Sequence, residues 1–152
     1  MPRWRLRHGP GSHHLLGYGA TPIVSPSSQR DFTMPHLTIE YSGNLPHYPE
    51  AETLNALNAT LCEHPEVQDE SDLKTRFVVA DSFEIGTAPA QRAFVHAQLR
   101  MLSGRTPAAK KELSERIAAV LRERTPHPQG VLVQLSVEVV DMDRGSYVKE
   151  RL

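Results

Sequence analysis

Three groups of side chains in this 152-residue chain have the type and setting to do chemistry. The first is Pro35, between Met34 and the run His36-Leu37-Thr38-Ile39-Glu40-Tyr41. Proline cannot donate to a sheet ladder and belongs at the first position of a strand. If Met34 is the initiator and is removed, Pro35 carries a free secondary amine at the mouth of that strand. An α-amine titrates near pH 8, about two units below lysine, and an apolar pocket lowers it further by disfavouring the charged form. The second is Arg105, in Ser103-Gly104-Arg105-Thr106 just ahead of a helical pattern. Its planar fork and the adjacent backbone N–H groups suit a carboxylate. The third is the pair Lys74 and Arg76, two positions apart and therefore on one face of a strand.

Each has a plainer alternative. A proline ahead of a strand is usually only a boundary, Arg105 an ordinary solvated turn residue, and Arg76 a surface partner of Asp72 or Asp81. His36, His96 and Glu40 fall on strands and receive no role. His13-His14 lacks the further ligands that a metal site needs.

The elements that must position these residues follow from hydrophobic period. Leu37, Ile39 and Tyr41 alternate with His36, Thr38 and Glu40, which predicts a half-buried strand. Ser42-Gly43-Asn44 is a turn signal; Leu54, Leu57 and Leu61 then predict an amphipathic helix over about 50–63, stopped at His64-Pro65. Arg76-Phe77-Val78-Val79-Ala80-Asp81 reads as a short buried strand. Val95, Ala97, Leu99 and Met101 mark a third strand. Thr106 as N-cap and Pro107 as N1 open a helix whose stripe is Leu113, Ile117, Val120 and Leu121; Pro126 closes it after about Arg124. Val131, Val133, Leu135, Val137 and Val139 alternate in a fourth strand, and the polar tail from Asp143 to Leu152 reads as peripheral.

Strand, turn, helix and strand thus occur twice, over about 35–83 and 93–141, the mark of an internal duplication. The expected fold class is α/β, with tandem β-α-β units forming a two-layer sandwich: a four-stranded sheet and two helices on one face. The valine-rich strands lead us to expect a second face too apolar for water, and hence an oligomer. Asn44 stands in the first half where Arg105 stands in the second, which suggests one functional site per chain. Residues 34–152 make the single expected domain. Residues 1–33, rich in Gly, Pro and Ser, are expected to be disordered, either an extension outside it or a start codon assigned too early. An Arg-rich transit peptide is the lesser alternative, and Leu15-Leu16-Gly17-Tyr18-Gly19 is too short and glycine-rich for a secretory signal.

Charge narrows the partners. Residues 1–33 hold Arg3, Arg5, Arg7 and Arg30 against Asp31, which leaves 13 basic and 17 acidic side chains in the rest, a net charge of −4. An acidic body argues against non-specific nucleic-acid binding. No apolar run reaches the roughly 18–20 residues that span a bilayer, so no membrane partner and a cytoplasmic location are expected. The single cysteine, Cys62, falls in the helical pattern and reads as a buried thiol.

Pro35-His36-Leu37-Thr38-Ile39-Glu40-Tyr41-Ser42, Ala93-Phe94-Val95-His96 and Ser103-Gly104-Arg105-Thr106 together resemble 5-carboxymethyl-2-hydroxymuconate Δ-isomerase of the tautomerase superfamily. The resemblance runs from Met34 to about Asp141. It implies a homotrimer of tandem β-α-β units with neither metal nor organic cofactor, and an isomerase of aromatic catabolism such as homoprotocatechuate degradation. It implies a small-molecule carboxylate substrate, Pro35 as the amino-terminal general base, and Arg105 as the substrate-binding arginine of its turn. Arg76 resembles an arginine used by related tautomerases. Lys74 stands where the isomerase pattern has an arginine, which leaves the division of labour between Lys74 and Arg76 open. The related 4-oxalocrotonate tautomerase is a single such unit. The alternatives are a non-catalytic tautomerase-like protein with Pro35 blocked as an amide, and a keto-enol tautomerase of phenylpyruvate type.

Overall fold

A computed structural model describes residues 34–152; the expectations for residues 1–33 lie outside the described residues. Strand β1 (His36–Ser42), helix α1 (Glu50–Cys62) and strand β2 (Lys74–Ala80) form the first unit. Strand β3 (Arg92–Leu102), helix α2 (Pro107–Arg124) and strand β4 (Leu132–Met142) form the second. The strands lie in the order β2-β1-β3-β4; β1 pairs parallel with β2 and antiparallel with β3, and β3 pairs parallel with β4. The expected four-stranded α/β architecture is the one observed.

The duplication is visible in matched backbone bonds. Lys74 N donates to Pro35 O at 3.0 Å, and Leu132 N donates to Gln91 O at 3.0 Å. Gly43 N donates to Ala80 O at 2.9 Å, and Ser103 N donates to Met142 O at 3.0 Å. Each unit therefore closes its parallel pair at both ends in the same way.

Both helices cover one face of the sheet. Leu37, Ile39 and Tyr41 of β1 and Ala93, Val95, Ala97, Leu99 and Met101 of β3 are buried there against Leu57, Leu61, Leu113, Ile117 and Leu121. Burying each such leucine contributes roughly 1.5–3 kcal/mol. α2 starts where its cap signal falls: Thr106 Oγ1 accepts from Ala109 N at 3.1 Å, with Pro107 in the first turn. α1 begins behind Pro49 with no side-chain cap, and Glu50 and Glu52 face the positive end of its dipole. Glu50 also accepts a 2.6 Å bond from Tyr41 Oη; burial first, and that carboxylate second, push the phenol up to about 12.

Four sequence-based expectations are corrected. The outward sheet face is polar: Val133, Leu135, Val137 and Val139 all pack toward the helices, whereas His96, Gln98, Ser136 and Glu138 bond to one another on the outside. β2 is an edge strand, with Val78 and Val79 each more than 40% exposed, because only β1 flanks it. Cys62 is exposed at the last position of α1, one residue past the buried stripe. The tail is not peripheral: Tyr147 packs on Met34, Leu102 and Met142, and Lys149 and Arg151 reach Asp72.

Candidate active site

Parallel and antiparallel pairing bring the starts of β1 and β2 and the ends of β3 and β4 to one end of the sheet. His36 stands opposite Lys74 on one side and Arg100 on the other, and Thr38 opposite Arg76. Side chains alternate along strands, so Lys74, Arg76 and Arg100 share the outward face with His36. The imidazole of His36 is held below its ordinary 6.5, chiefly by burial and then by Lys74, Arg76 and Arg100. Its Nε2 lies 3.1 Å from Tyr147 Oη, and the two rings meet edge to face.

Pro35 is buried at the head of β1, its carbonyl tied to β2 through Lys74 N. Met34, 3% exposed, sits in an apolar cluster with Leu102 and Met142, edged by Tyr147. Lys74 Nζ is occupied, donating to Asp72 O at 3.0 Å and Ser71 O at 3.3 Å. Arg76 is exposed and has no carboxylate partner among the described residues. Its expected surface pairing with Asp72 or Asp81 is absent there; Asp72 takes Lys149 Nζ at 2.5 Å and Arg151 Nη2 at 3.3 Å instead. Arg151 also meets Asp69 at 3.1 Å, and bonds from Ser71 first, then from Arg151, hold the Asp69 carboxyl down at about 2.

Arg105 is not a solvated turn residue. Its side chain is 4% exposed; Nε donates to Glu66 Oε2 at 3.0 Å and Nη1 to Leu102 O. Glu66 thereby orients the fork, and Nη2 has no partner among the described residues.

Two cavities open at this end, with Tyr147 in the wall of both. One, of about 350 Å³, has Met34 and Leu102 as an apolar floor and Arg144, Lys149 and Arg151 as a basic rim. The other, of about 450 Å³, holds His36, Arg76 and Arg100. Arg105 lines neither, and Met34 rather than Pro35 forms the first cavity's wall. A mouth this rich in guanidinium and ammonium groups, floored by apolar side chains, has the charge and lining to accommodate an organic anion. Among the described residues no cluster of His, Cys, Asp or Glu is placed to hold a metal ion, and no helix is long and apolar enough to cross a membrane.

Sequence reasoning missed Arg100 and the tail. Arg100 had a signal, since antiparallel pairing of β1 with β3 puts the end of β3 beside Pro35. The tail's signal is weaker: Tyr147, Lys149 and Arg151 recur at every second position, the spacing that aims extended-chain side chains one way.

The family model of 5-carboxymethyl-2-hydroxymuconate isomerase matches residues 35–151. The chain belongs to that family. A 5-carboxymethyl-2-hydroxymuconate isomerase from Deinococcus radiodurans R1 is 27% identical, with TM-score 0.68 over 79% of this chain and 91% of its own. A 5-carboxymethyl-2-hydroxymuconate delta-isomerase is 22% identical, with TM-score 0.57 over 78% of this chain and 88% of its own. A fused 4-OT asymmetric trimer shares the fold at 20% identity and TM-score 0.51, over 75% and 91%. No curated protein matches the chain.

Proposed function

We propose that this isomerase-family chain moves a proton along an unsaturated 2-hydroxy acid of the 5-carboxymethyl-2-hydroxymuconate type, in the breakdown of aromatic compounds such as homoprotocatechuate. The general base is the amino group of Pro35, in a chain that begins at that residue. The neutral nitrogen takes the proton of the 2-hydroxyl; the oxygen lone pair becomes the C2 carbonyl, the dienol double bonds shift, and the ammonium returns the proton to carbon. Atoms and charge balance without an outside reagent. What supports the reading is the family match, which begins on Pro35 itself, at the head of a cation-rich cavity end.

The same reading gives the other residues their parts. Leaving of Met34 vacates an apolar hollow between Leu102, Met142 and Tyr147, and a secondary amine there stays neutral near pH 7. Arg105, oriented by Glu66, offers Nη2 to a carboxylate near the start of α2. Arg76 takes a second carboxylate, and Lys74, spent on two carbonyls, positions the Ser71-Asp72 turn more than it binds substrate. Residues 34–152 act as one domain of two repeats, preceded by an extension that the working enzyme lacks. We further propose a homotrimer, on the pattern of the 4-OT trimer that shares the fold, working in the cytoplasm.

The test is intact mass and N-terminal sequencing of the protein made from its own gene with its native upstream sequence, joined to an isomerase assay. A chain that starts at Pro35 and converts the dienol to the ketone is the expected result. A chain that keeps residues 1–33 and still isomerises at the same rate overturns Pro35 as base, because an amide nitrogen has no basic lone pair. A blocked chain without activity returns the protein to the non-catalytic alternative.

A further inference from the structure

We infer that Arg100 and Arg76 together form a subsite for one distal carboxylate of the substrate, which makes Arg100 a specificity-determining residue. The inference rests on the isomerase reading above and extends it to a residue outside that reading.

Arg76 on β2 and Arg100 on β3 flank β1 from opposite sides and line the same cavity of about 450 Å³. Alternate strands in a sheet lie roughly 10 Å apart, within the combined reach of two arginine side chains converging on a single anion. Neither arginine has a carboxylate partner among the described residues. The carboxylates in the cavity wall are committed elsewhere: Asp141 to Lys110 at 2.6 Å, and Asp143 to the Ser146 hydroxyl and the Gly145 and Ser146 backbone. Lys74 is spent on carbonyls, and His36 on Tyr147. What remains is two uncompensated guanidiniums around a partly buried imidazole that their charge helps to keep neutral. Such a cluster is repulsive while empty and becomes favourable once an anion enters.

The chemistry of the anion follows. 5-Carboxymethyl-2-hydroxymuconate has three carboxylates, two on the muconate chain and one on the carboxymethyl side arm at C5. Tyr147 walls both cavities, so a substrate spanning them can place its reacting dienol beside Pro35 and the carboxylate of its C5 side arm between Arg76 and Arg100. 2-Hydroxymuconate, a dicarboxylate without the side arm, has nothing to put there.

The experiment compares wild type with Arg100→Gln, in the protein as made from its own gene, on 5-carboxymethyl-2-hydroxymuconate and on 2-hydroxymuconate. Loss of one charged hydrogen-bonding partner is expected to shift the ratio of the two kcat/KM values about 10- to 100-fold against the tricarboxylate, mostly through KM. An unchanged ratio overturns the subsite. In parallel, tricarballylate is titrated by calorimetry while the His36 ring is followed by NMR. Wild type should bind it and raise the His36 pKa, and Arg100→Gln should bind at least tenfold more weakly; equal binding by both overturns the inference. The two readings fail separately. Absent turnover with Arg100-dependent tricarballylate binding sinks the isomerase reading alone, and turnover with an unmoved ratio sinks the subsite alone.

Discussion

The two ends of the sheet share a backbone and differ in almost every side chain that matters. At one end Lys74 N bonds to Pro35 O; at the other Leu132 N bonds to Gln91 O at the same 3.0 Å. Moving two residues along each strand exchanges Arg76 for Gln134, and the turns opposite exchange Arg105 for Asn44. Asn44 Nδ2 ties its turn to Arg92 O, and Arg92 spends a guanidinium nitrogen on Ile85 O, both at 2.8 Å. The cavity at that end measures about 180 Å³ and holds Glu84 beside Arg92. The duplicated scaffold is satisfied at both ends by backbone pairing, whereas the cationic surplus and the tail that frames it belong to one. Fold and site are thus carried by different atoms of the same residues.

The largest expected break in this comparison is at the strand heads. In protein begun at Met34, Pro35→Ala should lower kcat by about two to four orders of magnitude, the usual worth of a positioned general base. Gln91→Ala, at the twin position, should leave kcat within about threefold, since the bond it contributes comes from its backbone. Steady-state kinetics on both variants checks this; comparable losses would mean that the proline acts through strand pairing rather than chemistry.

A smaller difference is expected at the turns. Arg105→Ala removes a nearly buried cation and leaves Leu102 O and Glu66 without their donor, so urea unfolding should show about 1.5–3 kcal/mol lost. Asn44→Ala removes one exposed bond to a carbonyl and should cost about 0.5–1.5 kcal/mol. If Arg105→Ala unfolds like wild type while weakening substrate, its contacts with Glu66 and Leu102 are incidental and the whole guanidinium serves the ligand.

The scaffold was legible in the sequence because its signals are local. Thr106, Pro107 and Pro126 bound α2 where the structure bounds it, and Leu37, Ile39 and Tyr41 name the buried side of β1. β2 was misread because Phe77-Val78-Val79 looks the same whether a strand has one neighbour or two, and only the sheet order decides. Pro35, Lys74, Arg76 and Arg105 do gather at one end of the sheet. Their partners did not show: Glu66 under Arg105, Asp72 under the tail and Arg100 across β1 are contacts 39 to 79 residues apart or settled by strand register. Cys62 shows the same limit at close range, since one step past Leu61 on the helix turned an expected buried thiol to solvent.

The smallest expected effect sharpens the comparison through pH. At the strand heads His36 is the twin of Arg92, so a group that titrates near neutrality stands at one end and a permanent cation at the other. Burial, then Lys74, Arg76 and Arg100, keep the folded-state pKa of His36 below the 6.5 of the unfolded chain. The unfolded state therefore binds this proton more readily than the folded one. The contribution of His36 to stability is complete above about pH 6.5 and is lost as pH falls through its folded-state pKa. His36→Gln, which keeps a hydrogen-bonding group for Tyr147, should flatten the fall in urea midpoint between about pH 7 and pH 5 relative to wild type. An anion held between Arg76 and Arg100 should flatten it too, by offsetting the charges that make protonation of His36 costly. A wild-type slope that survives His36→Gln unchanged would assign the acid sensitivity elsewhere.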